Sequence, residues 1–341
     1  MVNIIQKFCK DFEILPINTS VILEFALDGI TKWKGGEDHT VILSCSNRAV
    51  SLSTKKVIIE EGMSFKTTIQ SSKVGTALIE ISVDGKTNSK VQIKFSDSKD
   101  VFSKIKFDLL MSELKYVAPE VNSVQPHAEY ASNYCMAASE RGLSELLNDT
   151  TNFYAVERVT HKRKNQVSFS GKTAIDRGKQ FQRLGYTEII HHFKGYKVVN
   201  SKKDMIYKAK DESDAKTQYS NVKFDIIEFN ATGKNVLAKH FENDVINKEI
   251  GYHVYYFTVT DGFHTLILII DKFTDPCNPK YEIWDQHGLT SSYGLLSDIA
   301  EGIRRQTSWT FANSCLNRYL TNKTQYVDST DTYLWKIKEK S

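Results

Sequence analysis

Three side chains in this sequence could do covalent chemistry together: Cys135, His264 and Asp285. The cysteine lies in Asn133-Tyr134-Cys135-Met136-Ala137-Ala138-Ser139, which the spacing of Met136, Leu143 and Leu147 predicts as an amphipathic helix starting near Tyr134. The histidine opens the apolar run His264-Thr265-Leu266-Ile267-Leu268-Ile269-Ile270, and the aspartate closes Tyr281-Glu282-Ile283-Trp284-Asp285. A thiolate is a far better nucleophile than a thiol. A helix N-terminus and a neighbouring imidazole both favour it, and a carboxylate behind the imidazole fixes the tautomer. Asn133 (or Ser132) is the expected N-cap, and the unpaired N–H groups of the first turn are the expected oxyanion donors. Asn133, Gln286 and His287 are carried as auxiliary candidates. A one-residue change of register would exchange Asp285 for Gln286 on a given face.

Other candidates are weaker. Cys315 has similar local surroundings, but no histidine follows it in the chain. Cys45 alternates with apolar neighbours and reads as core, while Cys9 and Cys277 carry no pattern. His253, which opens the strand before His264, is the rival base. His191-His192 has no carboxylate at metal-ligand spacing, so no metal and no cofactor is expected. The five cysteines include no CxxC pair, so neither a zinc ribbon nor a disulfide framework is expected.

The elements that would position these groups occupy the second part of a two-domain pattern. Residues 1–98 read as an all-β sandwich. Val21–Leu27, Thr40–Ser44, Val57–Glu60, Phe65–Ile69, Ala77–Val83 and Val91–Phe95 are β-branched or aromatic runs separated by turn signals such as Asp84-Gly85-Lys86. Residues 99–130 read as a linker helix and approach segment, with a helical period through Phe102, Ile105, Leu109, Leu110 and Leu114. Residues 131–341 read as an α+β domain with a central antiparallel sheet. Its expected elements are a helix at 174–184 ended by Gly185, strands at 253–260, 264–270 and 281–284, a helix near 296–305 and a closing strand at 332–337. The Thr260-Asp261-Gly262 turn joins the first two of those strands. Val222–Ile227 reads as a strand and Lys234–Asn243 as a helix; Asp204–Thr217 and His161-Lys162-Arg163-Lys164 read as solvated, charged segments.

Composition bounds the function. A net charge of +4 on 341 residues is too small for a dedicated nucleic-acid binder, so no nucleic-acid partner is expected. The longest apolar run is strand-sized, and the N-terminus shows no basic segment followed by an apolar core. The expectation is therefore no membrane span, no signal peptide and synthesis in the cytoplasm.

A cysteine heading a helix, a histidine at a strand start and a polar residue on the next strand resemble the papain-like clan of cysteine hydrolases. The likeness covers roughly residues 121–288 and is nearest to the NlpC-type and amidase branches. The Asn133–Ser139 stretch is similar to the nucleophile helix of type VI secretion amidase effectors, and Gly75–Ile81 is similar to the penultimate strand of bacterial immunoglobulin-like domains. The resemblance implies an amide-cleaving enzyme with Cys135 as nucleophile, His264 as base and Asp285 as its orienter. It also implies peptidoglycan stem peptides as substrate, an immunity protein or secretion component as partner, and export by a non-Sec route to a target cell's periplasm. It departs from the pattern where papain's oxyanion glutamine would lie, since Gln125 is ten residues before Cys135. The same triad would serve a protease or transglutaminase-like enzyme, or survive in an inactive papain-like adhesion or binding protein.

Overall fold

The structure is a computed structural model. It describes residues 2–6, 12–29, 38–60, 62–97, 101–123, 128–149, 151–153, 174–188, 190–193, 250–260, 264–276, 278–285, 288–293 and 331–340, with isolated positions at 210–217, 239, 241, 262 and 299–310. The chain is mostly β-sheet with a few helices.

Nine strands come first: β1 (Val2–Gln6), β2 (Phe12–Pro16), β3 (Val21–Gly29), β4 (Asp38–Cys45), β5 (Val50–Leu52), β6 (Lys56–Glu60), β7 (Ser64–Ser71), β8 (Gly75–Val83) and β9 (Lys86–Ser96). They form a four-stranded sheet ordered β1-β3-β7-β5 and a five-stranded sheet ordered β2-β9-β8-β4-β6. Inward residues alternate along each strand, as in Phe65, Thr67, Ile69 and Ser71 of β7. Leu23, Phe25 and Ile69 from one sheet and Ile79, Ile81 and Ile93 from the other share one core, which makes this a β-sandwich. All six strands expected here are present. The sequence reading missed β1, β2 and β5, short elements at sheet edges or starts that depend on pairing rather than on their own pattern.

The remainder is built on α1 (Lys104–Ser123), α2 (Ala128–Leu147), α3 (Ala174–Arg183), β10 (Ile190–Phe193), β11 (Tyr252–Val259), β12 (His264–Asp271), β13 (Lys280–Asp285), β14 (Gly288–Tyr293) and β15 (Thr332–Lys336). These six strands make one antiparallel sheet ordered β10-β15-β11-β12-β13-β14. Every residue of β11 is buried, as is all of β12 except Asp271. The pleat explains how: Val254, Tyr256, Ile267, Ile269 and Trp284 meet the helices. Tyr255, Phe257, Leu266, Leu268 and Ile283 meet Phe241, Ile299 and Ile303 on the other face. An antiparallel sheet covered on both faces loses the alternation of a half-exposed one, so its strands read as continuous apolar runs.

Helix ends follow local chemistry. Asn148, at φ 52, ends α2, with the Asp149 N–H donating to the Ser144 carbonyl at 3.0 Å. Gly185, at φ 81, ends α3 in the same way, with the Tyr186 N–H donating to Phe181 at 2.9 Å. The two parts of the chain are tied by the Ile250 N–H, which donates to Ile14 of β2 at 2.9 Å. Phe102 and Tyr252 exchange two backbone hydrogen bonds, linking the segment before α1 to the start of β11. Among the expected elements, Val222–Ile227 and His161–Lys164 lie outside the described residues. Lys234–Asn243 and Asp204–Thr217 do so except at isolated positions.

Candidate active site

Cys135 comes from α2, His264 from the first position of β12 and Asp285 from the last position of β13. β12 and β13 pair through Ile267 and Trp284. The strands are antiparallel, so the start of β12 and the end of β13 lie at the same end of the sheet. The His264 Nε2 lies 3.7 Å from the Asp285 Oδ2. Cys135 is 1% exposed, and His264 and Asp285 are 6% exposed each.

Burial acts to depress the histidine, since it disfavours the charged ring. The nearby Asp285 carboxylate and Cys135 sulphur, with the charges of both, outweigh it and push His264 up to about 9. The imidazolium is thus the favoured form at neutral pH. Its two stabilising partners are the proposed nucleophile and the proposed orienter.

The helix carrying the cysteine differs from the sequence expectation. α2 starts at Ala128, about two turns before Cys135, and not near Tyr134. Asn133 therefore sits inside the helix and is not its N-cap, and its side chain lies outside the described residues. The macrodipole acts within the first turn, so it contributes little at Cys135. The backbone N–H of Cys135 is committed within the helix and cannot serve an oxyanion. The physical reason is propensity: the Ala128-Glu129-Tyr130-Ala131 stretch continues the helix backwards, and Ser132 and Asn133 are tolerated inside it. Gln125, Gln286 and His287 lie outside the described residues, as do Cys9, Cys277 and Cys315.

The rival base is separated from the site. His253 and His264 occupy opposite ends of the β11–β12 hairpin, since Val259 pairs with His264 and His253 with Ile270. Six residues of strand, about 20 Å, lie between them. His192 instead pairs with Asp331 at 2.6 Å and stacks on Tyr333. Among the described residues, no group of three or more His, Cys, Asp or Glu could hold a metal ion.

The structure adds neighbours that the sequence did not single out. Glu140, fully buried on α2, receives two hydrogen bonds from Arg177 of α3, one of them Nε to Oε1 at 2.7 Å. The next residue, Arg141, pairs with Glu113 of α1. Tyr256 of β11 donates its hydroxyl to the Ala174 carbonyl at 3.3 Å. Burial pushes that phenol well up, and the charges of Glu140 and Cys135 add to the effect. Arg177 is 37 residues from Glu140, so no local pattern could have found this pair. A cleft of about 750 Å³ between the sandwich and the β12–β13 connection is lined by Ile22, Glu24, Lys66, Lys104, Phe273 and Asp275, and it does not reach the trio.

No protein-family model matches the chain, and no curated protein matches it. The solved structures named next align over less than a third of it. The periplasmic chaperone SfaE matches at 6% identity over 27% of this chain and 56% of that one, with a TM-score of 0.22. WR4, a C. elegans MSP family member, matches at 10% identity over 28% of this chain and 95% of that one, with a TM-score of 0.21. Domains 4 and 5 of the S-layer protein SbsC match at 13% identity over 28% and 50% of the respective chains, with a TM-score of 0.21. At these scores the similarities carry no argument about the chain's activity.

Proposed function

We propose that the α+β part of this chain is a papain-like cysteine hydrolase that cleaves amide bonds, with peptidoglycan stem peptides as substrate. The N-terminal sandwich, in this reading, is an immunoglobulin-like targeting or delivery module. One observation carries the proposal: Cys135, His264 and Asp285 come from three separate elements, and the His264 ring lies 3.7 Å from the Asp285 carboxylate and near enough to Cys135 for both to favour its protonated form. In such a pair the thiolate attacks the carbonyl carbon, forming an acyl-enzyme. His264 gives its proton to the leaving amine and then takes one from the water that hydrolyses the thioester. Asp285 faces Nε2, which leaves Nδ1 for the sulphur. Activation comes from the imidazolium, since Cys135 sits too deep in α2 for the macrodipole.

One observation favours a second reading. Cys135 is 1% exposed, so a carbonyl carbon reaches its sulphur only after local opening. An inactive papain-like domain that binds peptides or glycans needs no such opening. Incubation of purified sacculi with wild type and with Cys135→Ala, followed by chromatography of the released fragments, separates the two. Peptide-bond products from wild type alone support the hydrolase. No release by a folded, reduced wild type removes the peptidoglycan substrate. Selective alkylation of Cys135 at pH 6 would then keep the enzyme reading for protein substrates, and its absence would leave the binding module.

A further inference from the structure

We propose that the buried Glu140–Arg177 pair is a charge-balanced clamp that fixes α2 against α3 and holds Cys135 in register with His264, making Arg177 a positioning residue. This rests on the hydrolase reading above.

The pair has the geometry of a fixed support. Arg177 grips Glu140 with two parallel N–H donors, Nε at 2.7 Å and Nη2 to the other oxygen. Its Nη1 donates to Gln180, its Nη2 reaches the Asn152 carbonyl at 3.5 Å, and its guanidinium stands 5.5 Å from the Phe181 ring centroid. Such a fork restricts orientation as well as distance, which a lysine could not do. Glu140 is fully buried, five residues and about 7.5 Å along the axis from Cys135. Immediately beside it, Arg141 binds Glu113 of α1, so two successive residues of α2 tie it to both neighbouring helices.

A buried ion pair contributes little net stability, because desolvation offsets the attraction. Its placement here has a specific electrostatic consequence. Among the described residues, His264 from β12 feels the charges of Cys135 and of Asp285 from β13, and Tyr256 from β11 feels those of Cys135, of Glu140 on the same helix and of Arg177 from α3. Arg177 offsets Glu140, which leaves Asp285 as the uncompensated charge beside the thiolate–imidazolium pair among the described residues. Arginine has no neutral form to retreat to, whereas an unpaired buried glutamate takes up a proton. Removing the carboxylate is therefore the informative change, since it strands a buried cation one to two turns along α2 from the thiol.

The test follows alkylation rate against pH at Cys135, together with the NMR titration of the His264 ring. In Glu140→Gln both midpoints should fall by about one pH unit, roughly a tenfold change in each ionisation constant. In Glu140→Gln/Arg177→Met both should return to near wild type, because the local charge is balanced again. Glu140→Asp keeps the charge but shortens the reach. It should leave the midpoints in place and lower the maximal alkylation rate several-fold, and it stands in if the glutamine variant does not fold. Unchanged midpoints in Glu140→Gln with only a lower unfolding temperature would overturn the proposal, as would equal shifts in the single and double variants. A wild-type Cys135 that alkylates like an ordinary thiol sinks the hydrolase reading instead. The His264 titration still decides the clamp in that case, because it does not require a reactive sulphur.

Discussion

At the residue scale, the state of His264 governs what the site can do. Its folded pKa of about 9 exceeds the ordinary value of 6.5, so the folded protein holds the proton more tightly than the unfolded chain. That contribution to stability is complete below pH 6.5 and is lost as pH rises through about 9. A shift of this size corresponds to on the order of 3 kcal/mol. Denaturant unfolding of wild type between pH 6 and pH 10 should show this loss, and His264→Ala should flatten it. Asp285→Asn removes the carboxylate that faces Nε2. It should move the alkaline limb of any Cys135-dependent activity down by at least one unit, measured as a kcat/KM profile. If the limb stays near 9, Asp285 is not the orienter.

At the element scale, close approaches hold the site. A Cβ built on Gly178 of α3 would stand 2.2 Å from the Trp335 ring of β15, so Gly178→Ala forces the helix off the sheet. The expected cost is about 1–3 kcal/mol, measured by denaturant unfolding. Activity should fall with it, because α3 carries Arg177. Gly262, at φ 83, lies two residues before His264 in the β11–β12 turn, and a Cβ there would meet Ile175 at 2.9 Å. Gly262→Ala therefore combines backbone strain with a clash. It should reduce turnover by more than its effect on the unfolding midpoint explains, because it moves the start of β12. Thr260 in the same turn is β-branched, buried and at φ 55, a conformation held by its hydroxyl bond to the Thr307 carbonyl at 3.1 Å.

At the scale of the whole molecule, the sandwich and the α+β part are coupled through Ile250, which is fully buried in the sandwich core although it lies two residues before β11. Ile250→Ala should cost about 2–4 kcal/mol. Limited proteolysis should then show sandwich and sheet cut together, whereas a merely tethered sandwich would resist as before. Among the described residues no helix is long and apolar enough to cross a membrane. The six sandwich strands named from sequence, the strands at β11, β12, β13 and β15, and the Gly185 helix end were legible because each is written locally. Pattern of period two, apolar runs and left-handed residues act within a few positions. The order Cys135, His264, Asp285 was legible too, but not their convergence. Antiparallel pairing of β12 and β13 brought His264 and Asp285 to one end of the sheet, and packing of α2 on β12 brought the thiol to the ring. The start of α2 was misread because capping residues can also lie inside a helix when the residues before them propagate it. The Glu140–Arg177 pair was invisible, since a contact across 37 residues depends on how two helices settle on one sheet. Local sequence determined the elements and their ends; tertiary packing alone decided which charges share the buried space around Cys135.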